Sequence, residues 1–294
     1  MDTTLDQRSA QLRTSRIPFV HARVVLAERP TSAKPGDEAI VLSDGTIEGF
    51  VGGDCAEATV RDQSLAALRS GESALLRITP DAEEQQAGKV TVHNPCLSGG
   101  TLEIFLEPEV PAPLVVVAGT APIARALIDL GDHLGYDLRV HDGPLPDDTT
   151  AVVVASHGHD EEAVLTAALQ ARVPYVALVA SPRRGAAVLA SLDVSDEQRT
   201  QVHSPAGLDI GAHTPREVAL SILAELIALR PRVATAGPSP LPMAEQATAT
   251  DPVCGMSVPT VPASLHLEHA GRTWWFCGSG CQRAFATEPA AFGA

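Results

Sequence analysis

The 294-residue chain is poor in positive charge and in long apolar runs. Lysine and arginine number 21 against 36 aspartate and glutamate residues, so the formal net charge is −15. Such a chain repels the phosphates of nucleic acids and the head groups of anionic lipids. The composition therefore argues against a nucleic-acid or membrane partner.

The N-terminus lacks the pattern of a secretory signal, because Asp2 and Asp6 occupy the place of a basic region and no apolar run follows. Apolar runs elsewhere, such as 114–118, are far too short to span a bilayer. We therefore expect a cytoplasmic protein. The chain has only five cysteines, an odd number, which favours metal or sulfur chemistry over a disulfide framework.

Changes in composition divide the chain into segments. A stretch rich in Pro, Ala and Thr, 231–250, predicts a linker, and a Pro-rich step at 109–113 predicts a domain boundary. The predicted parts are therefore a first domain at 1–110, a second domain at 111–230, the linker, and a C-terminal module at 251–294.

The second domain alternates valine-rich apolar runs with helix-like segments. Four runs predict strands of a parallel sheet built from βαβ units, namely 114–118, 138–140, 151–155 and 175–179. The last helix begins at Thr214, Pro215 and Glu217, which supply a cap, a first-turn proline and a capping-box partner, and Pro231 ends it.

The first domain has a less regular pattern. Segments 24–27, 39–42 and 102–106 predict strands, and 55–68 predicts a helix. The predicted fold class is α/β, with a mixed α/β N-terminal domain, a parallel-sheet domain and a small cysteine-rich C-terminal module.

Two glycine-rich loops of the first domain carry cysteines. Gly52 and Gly53 lead into Cys55 at the predicted helix start, where unpaired N–H groups and the helix dipole stabilise a thiolate or hold a phosphate. A small buried cysteine after a glycine turn is an equally good interpretation. The second loop places Cys96 before Gly99 and Gly100, and two such loops in one domain suggest a shared site.

Several motifs in a fixed order resemble the XdhC/CoxI maturation factors of molybdenum hydroxylases. The motifs are 34–37 (KPGD), 49–57 (GFVGGDCAE), 96–100 (CLSGG), 156–160 (SHGHD) and 214–217 (TPRE), and the resemblance covers about residues 15 to 230. It implies a Rossmann-like second domain and a chaperone rather than a catalyst. Such a protein binds molybdenum cofactor (molybdopterin), protects it during sulfuration and helps insert it into an apoenzyme.

The implied clients are molybdenum hydroxylase apoenzymes of the xanthine dehydrogenase or carbon monoxide dehydrogenase kind, with a cysteine desulfurase as a further candidate partner. The sequence leaves open which client is served and whether the chain forms a homodimer. It also leaves open two other classes of function: an NAD(P)-dependent oxidoreductase, and a metallochaperone or metal sensor that acts through the C-terminal module.

A nucleotide is the usual ligand of a Rossmann-like domain. Gly119 follows the first strand, and Asp142 lies where a ribose-binding acid belongs. However, Ala121 stands where the dinucleotide fingerprint has glycine, and Pro122 removes an N–H donor. This loop disfavours NAD(P) and leaves a phosphate-bearing pterin possible.

Polar residues follow two further strands of the second domain. His157 and His159 come after one strand, and Arg183 and Arg184 follow the next. These are candidate cofactor-binding residues, because ligands of open α/β sheets gather at the carboxyl ends of the strands. The alternatives are a helix-capping role for the histidine loop and a solvated pair of arginines.

The C-terminal segments 251–256 (DPVCGM) and 271–281 (GRTWWFCGSGC) resemble the YHS (TRASH-like) module. A module this short gains from a metal that ties its segments together. Cys254, Cys277 and Cys281 are therefore predicted ligands for Zn(II) or Cu(I). Asp251, His266 and His269 are candidates for a fourth ligand, and a purely structural zinc is the alternative interpretation.

Overall fold

The computed structural model describes residues 3–81, 88–94, 100–156, 158–229 and 247–293. The chain forms two compact units. Unit 1 combines Met1–Pro111 with Val233–Ala294, and unit 2 is Ala112–Arg232.

The N-terminal part of unit 1 is built on a mixed six-stranded sheet within the described residues. Its strands are β1 (Phe19–Ala27), β2 (Glu38–Leu42), β3 (Ile47–Gly49), β4 (Ala74–Thr79), β5 (Lys89–His93) and β6 (Leu102–Glu109), and its helices are α1 (Thr3–Thr14) and α2 (Asp54–Ser70). The strand order is β3-β2-β1-β6-β4-β5. Strands β4 and β5 pair in parallel and the other neighbours are antiparallel, which confirms the predicted mixed sheet.

Helix α2 covers one face of this sheet. Its buried Val60, Leu65 and Leu68 join buried strand residues such as Val24 and Ile104 in one core. The helix ends at Gly71, whose left-handed backbone directs its N–H to Ala67 O, the usual glycine stop of a helix. The packing of α2 on the sheet therefore fixes where the first turn of the helix lies.

Unit 2 contains a five-stranded parallel sheet in the order β8-β7-β9-β10-β11 within the described residues. The strands are β7 (Leu114–Ala118), β8 (Asp137–Val140), β9 (Thr149–Val154), β10 (Tyr175–Leu178) and β11 (Val202–His203), and the helices are α3 (Pro122–His133), α4 (Glu161–Gln170), α5 (Pro182–Ser191), α6 (Asp196–Thr200) and α7 (Pro215–Ala228). Every residue of β7 is buried, because α3 and α7 cover one face and α4 and α5 cover the other. The predicted α/β parallel-sheet domain is confirmed.

Helix α7 begins as its sequence predicts. The Thr214 hydroxyl accepts the Glu217 N–H at 3.3 Å, and the Glu217 carboxylate accepts the Thr214 N–H at 2.8 Å. Pro215 is the first helical residue. The capping box is confirmed.

The C-terminal residues of unit 1 form two short two-stranded sheets and a helix. Their elements are β12 (Thr248–Thr250), β13 (Ser257–Pro259), β14 (Leu265–His269), β15 (Arg272–Phe276) and α8 (Ser279–Thr287), followed by a 3₁₀ turn at Pro289–Phe292. Residues 248–250, which we predict as the end of the linker, pair with β13 instead.

The C-terminal module packs on the N-terminal domain within unit 1. Val261 is 3% exposed and belongs to the same core cluster as α2. Val258 packs against Ala58 of α2. The module's own core is aromatic, with Phe276 and Phe285 fully buried. Its position beside α2 is therefore held by apolar burial.

Among the described residues, no helix combines the length and the apolar character needed to cross a bilayer.

A candidate thiol-rich cofactor and metal site

The first turn of α2 carries Cys55. Gly52 has φ +141°, and a side chain there would approach the Ala56 Cβ to 2.9 Å, so glycine is required at this turn. A Cβ at Gly53 would meet no atom within 4 Å, so there is open space beside the helix start. The predicted placement of Cys55 at a helix N-terminus is confirmed.

Hydrogen bonds hold the backbone of Cys55. Its carbonyl oxygen accepts from Asn94 Nδ2 and from Thr59 Oγ1, both at 3.2 Å. Asn94 is 6% exposed and follows β5 directly. The end of this strand therefore fixes the first turn of α2.

The second predicted loop is described only in part. Cys96 and Gly99 lie outside the described residues. Gly100 lies on the same cavity wall as Cys55. A Cβ at Gly100 would come within 2.3 Å of the Glu28 and Pro30 carbonyl oxygens, so glycine allows this close approach of two loops.

The three C-terminal cysteines converge as predicted. Cys254 Sγ lies 3.4 Å from Cys277 Sγ, which lies 3.8 Å from Cys281 Sγ. Asp251 joins them, and the potential ligand atoms of these four residues all lie within 4.8 Å of one another. Cys281 stands in the first turn of α8, near the positive end of its dipole.

The other two candidates for a fourth ligand lie elsewhere in the module. His266 Nδ1 contacts the Ser264 carbonyl at 2.9 Å, and its ring packs on Trp275. His269 meets the Phe285 ring edge to face. Of the three candidates, Asp251 is the one that belongs to the cluster.

Asp251 connects the two loops that carry the cysteines. One carboxylate oxygen accepts the N–H groups of Val253 at 2.8 Å and Cys254 at 3.4 Å. The other accepts the Cys277 N–H at 2.8 Å. The residue is 1% exposed, so this buried carboxylate is stabilised by backbone donors.

The thiols differ in acidity because they contact one another. The hydrogen bond from Cys277 lowers the pKa of Cys254 to about 7. The same interaction, followed by one with Cys55, raises the pKa of Cys277 above its usual value. Burial, followed by the negative charge of Asp251, raises the pKa of Cys281 to about 12. A bound cation would lower the pKa of all three thiols, because it stabilises thiolates.

Cys55 and the C-terminal cysteines belong to one site. The Cys55 side chain lies within hydrogen-bonding reach of the Cys277 thiol and packs in the same apolar cluster as Cys254 and Cys281. A Cβ at Gly278 would lie 3.3 Å from Cys55 Sγ. The sequence predicts a cofactor site at Cys55 and a separate metal site in the C-terminal module, and the structure brings these residues together.

A polar contact beside Cys55 joins the two helix starts. Asp54 Oδ2 accepts from the Ser279 N–H at 3.1 Å and from the Ser279 hydroxyl at 2.6 Å. These bonds lower the pKa of Asp54 below its usual value. Asp54 thus acts as a cap for α8, which begins after Gly278 without a side-chain cap of its own.

A cavity of about 1260 Å³ opens over this cluster. Its walls include the start of α2, Gly100, the loop 29–32 and the C-terminal cysteines. Asp54, Ser279 and Arg29, which line this cavity, are not among the residues predicted from the sequence. Asp54 has one local signal, which is its position directly before Cys55. Ser279 and Arg29 have none, because their place in the site depends on the packing of distant segments.

The candidate residues of unit 2 lie at the carboxyl ends of its strands. Gly119 follows β7 with φ +115°, and a Cβ there would lie 2.3 Å from the Ala155 carbonyl oxygen. Pro122 opens α3 directly after Ala121, as predicted. Asp142 follows β8 and is exposed.

The loop after β9 is organised by a buried carboxylate. Glu161 is 1% exposed and accepts from the Gly158 N–H at 2.8 Å and from Arg184 Nη2 at 2.5 Å. Burial opposes its ionisation, but these hydrogen bonds outweigh burial and lower its pKa. The charge of Arg184 is thus neutralised by Glu161.

The remaining candidates of this loop region are His157, His159 and Arg183. His159 and Arg183 are exposed. His157 lies outside the described residues. Whether these residues contact a ligand stays a prediction.

Models of known protein families match both domains of the chain. A model of the XdhC and CoxI family matches residues 12–79, and a model of the XdhC Rossmann domain matches residues 115–226. The two matched segments lie in unit 1 and unit 2 respectively.

Two curated relatives are similar to the chain. The uncharacterised protein YqeB of Escherichia coli is 27% identical over 253 residues, which cover 76% of this chain and 45% of that protein. A probable xanthine dehydrogenase subunit of Bacillus subtilis is 25% identical over 185 residues, which cover 53% of this chain and 54% of that protein. The chain therefore spans about half the length of the curated relatives it matches.

A crystal structure described as a xanthine dehydrogenase from Bacillus halodurans aligns with a TM-score of 0.36 and 16% identity, over 78% of this chain and 97% of that chain. At this TM-score the two structures are too different to support a functional inference.

Proposed function

Because the chain belongs to the XdhC and CoxI family, we propose that it is a maturation factor for a molybdenum hydroxylase. In this proposal it binds molybdenum cofactor (molybdopterin), shields it during sulfuration and helps insert it into an apoenzyme of the xanthine dehydrogenase or carbon monoxide dehydrogenase kind. The Bacillus subtilis relative, described as a probable xanthine dehydrogenase subunit, supports the choice of client.

The observation that carries the proposal is the cavity over Cys55. Its volume of about 1260 Å³ exceeds the roughly 300–1,000 Å³ of ordinary small-molecule pockets, which is space enough for a pterin with its phosphate. The open space beside Gly53 lets a ligand approach the backbone at the helix start.

The donors around the cavity suit this cofactor chemically. A thiol at a helix N-terminus is a soft ligand whose thiolate the dipole favours. The same helix start and the Arg29 guanidinium suit a phosphate. Thr31 and Ser32 add hydroxyl groups to the same wall. The donor set thus matches a molecule with one soft centre and one anionic group.

Each residue has a separate task in this proposal. The Asn94 side chain, through its bond to the Cys55 carbonyl oxygen, keeps Cys55 facing the cavity. Arg29 binds the anionic end of the ligand, and the cavity walls exclude water. When bound, the cofactor supplies the molybdenum chemistry that the client enzyme later uses. A cysteine desulfurase is the proposed source of sulfur.

Cofactor retention tests the proposal. Wild-type chain, Cys55→Ala and Arg29→Gln are expressed in cells that make molybdenum cofactor, and the pterin released from each purified protein is measured by fluorescence. Arg13→Gln is the matched control, because Arg13 pairs with Glu109 and does not line the cavity.

We expect the wild type and Arg13→Gln to retain pterin equally and the two cavity variants to retain much less. Thermal unfolding of each variant checks that it is folded. Equal occupancy in all four proteins would refute the assignment of the cavity.

A further inference from the structure

We propose that Cys55 and the three C-terminal cysteines together bind one soft or borderline metal ion, Zn(II) or Cu(I). The ion then joins α2 of the N-terminal domain to the C-terminal module. Cys55 takes part in both proposals, because the thiol cluster lines the same cavity. The metal titration below uses protein without pterin, so its outcome is distinct from that of the cofactor-retention test.

The spacing of the sulfur atoms fits such an ion. Tetrahedral coordination with Zn–S bonds of about 2.3 Å separates neighbouring sulfurs by about 3.8 Å. The two sulfur contacts of Cys277 measure 3.4 Å and 3.8 Å. The three thiols therefore need little movement to coordinate one ion, and soft donors select Zn(II) or Cu(I) over hard cations.

Cys55 rather than Asp251 completes the proposed coordination. The Cys55 thiol must move toward the ion to do so, because the group of ligand atoms that lie within 4.8 Å of one another contains Asp251 and not Cys55. Both Asp251 oxygens already accept backbone N–H groups, from Val253 and Cys254 on one side and from Cys277 on the other. Asp251 therefore positions the two ligand loops, as outer residues of metal sites commonly do.

Cys55 approaches the cluster from a different part of the chain. Its side chain is within hydrogen-bonding reach of Cys277 and packs in the same cluster as Cys254 and Cys281. Both Cys55 and Cys281 occupy first turns of helices. The two dipoles therefore favour the negative charge that a multi-thiolate site carries.

The docking of the module holds Cys55 in place. The two Asp54–Ser279 hydrogen bonds join the helix starts. At Gly278, an added Cβ would approach Asp54 Cβ to 3.2 Å and Cys55 Sγ to 3.3 Å. The absence of a side chain at Gly278 is thus what lets the module come this close to α2.

Cobalt substitution counts the thiolates. The full-length chain, purified without metal under reducing conditions, is titrated with Co(II), and the sulfur-to-cobalt charge-transfer absorbance is read at one equivalent. Zn(II) affinity is then measured by displacement of Co(II). The variants are Cys55→Ser, Asp251→Asn and, as the control for loss of a ligand within the module, Cys281→Ser.

We expect Cys55→Ser and Cys281→Ser each to lose one thiolate's share of the absorbance and to bind Zn(II) at least about tenfold more weakly. Asp251→Asn should keep the full absorbance. A Cys55→Ser protein with the wild-type absorbance, or an Asp251→Asn protein whose ligand-field spectrum shows the loss of a ligand, would overturn the assignment of Cys55.

A steric pair tests the same point without removing a thiol. Gly278→Val should displace the module from Cys55 and reproduce the Cys55→Ser spectrum. Gly280→Ala is the matched control, since a Cβ at Gly280 meets nothing within 4 Å, and it should behave as wild type. A wild-type spectrum for Gly278→Val would contradict the proposal.

Discussion

Replacing Asp251 by alanine should destabilise the C-terminal module even in the absence of metal. The carboxylate accepts two N–H groups at 2.8 Å, from Val253 and Cys277, and a third at 3.4 Å. Hydrogen bonds to a charged group contribute about 1.5–3 kcal/mol each, and an unpaired buried donor costs about 1–3 kcal/mol. Removing the buried charge offsets part of this loss, so we expect a net loss of about 3 kcal/mol.

Tryptophan fluorescence reports the unfolding of the C-terminal module specifically, because both tryptophans of the chain, Trp274 and Trp275, lie in it. The free energy of unfolding is measured by urea titration of the metal-free, reduced full-length chain. Asp44→Ala is the control, since Asp44 accepts one exposed N–H from Thr46, and it should change the free energy by less than about 1 kcal/mol. A loss below about 0.5 kcal/mol for Asp251→Ala would refute the role given to its hydrogen bonds.

Three further predictions concern unit 2. The pKa of Glu161 in the folded state is lowered, so the ionised side chain stabilises the fold above about pH 4.5, and this contribution is lost as the pH falls through the folded-state pKa. Calorimetry of Glu161→Gln across this range should therefore show a weaker dependence of stability on pH. Tyr175→Phe removes a 2.6 Å hydrogen bond to Glu225 and should lower the free energy of unfolding, measured by calorimetry, by about 1 kcal/mol. Gly119→Ala should cost more than Tyr175→Phe, because its Cβ would overlap the Ala155 carbonyl and the positive φ disfavours alanine; an equal or smaller loss would contradict this packing.

Local signals in the sequence account for the elements that we predicted correctly. Thr214, Pro215 and Glu217 mark the start of α7 through contacts within one turn. The run Leu114–Ala118 is apolar throughout because both faces of that strand are covered. Such patterns depend on neighbours in the sequence or on burial of the whole strand, so the sequence alone predicts these elements.

Other elements depend on contacts that the sequence does not reveal. Strand β4 carries Arg77, which obscures its apolar pattern and is neutralised by Glu103 of β6 at 3.0 Å. Similarly, Cys55 and Cys277 are far apart in the chain. Their proximity follows from the fit of Gly278 against Asp54. The sequence therefore identifies the separate cysteine motifs but not that they form one site.

Activation of a client enzyme tests the central claim most directly. Purified chain loaded with cofactor is mixed with a molybdenum hydroxylase apoenzyme in the presence of a cysteine desulfurase and its sulfur donor, and client activity is measured over time. We predict that the wild-type chain activates the apoenzyme in proportion to the cofactor it carries, whereas Cys55→Ala given the same total cofactor does not. Equal activation by the wild type, by Cys55→Ala and by free cofactor alone would contradict a role for this chain in cofactor delivery.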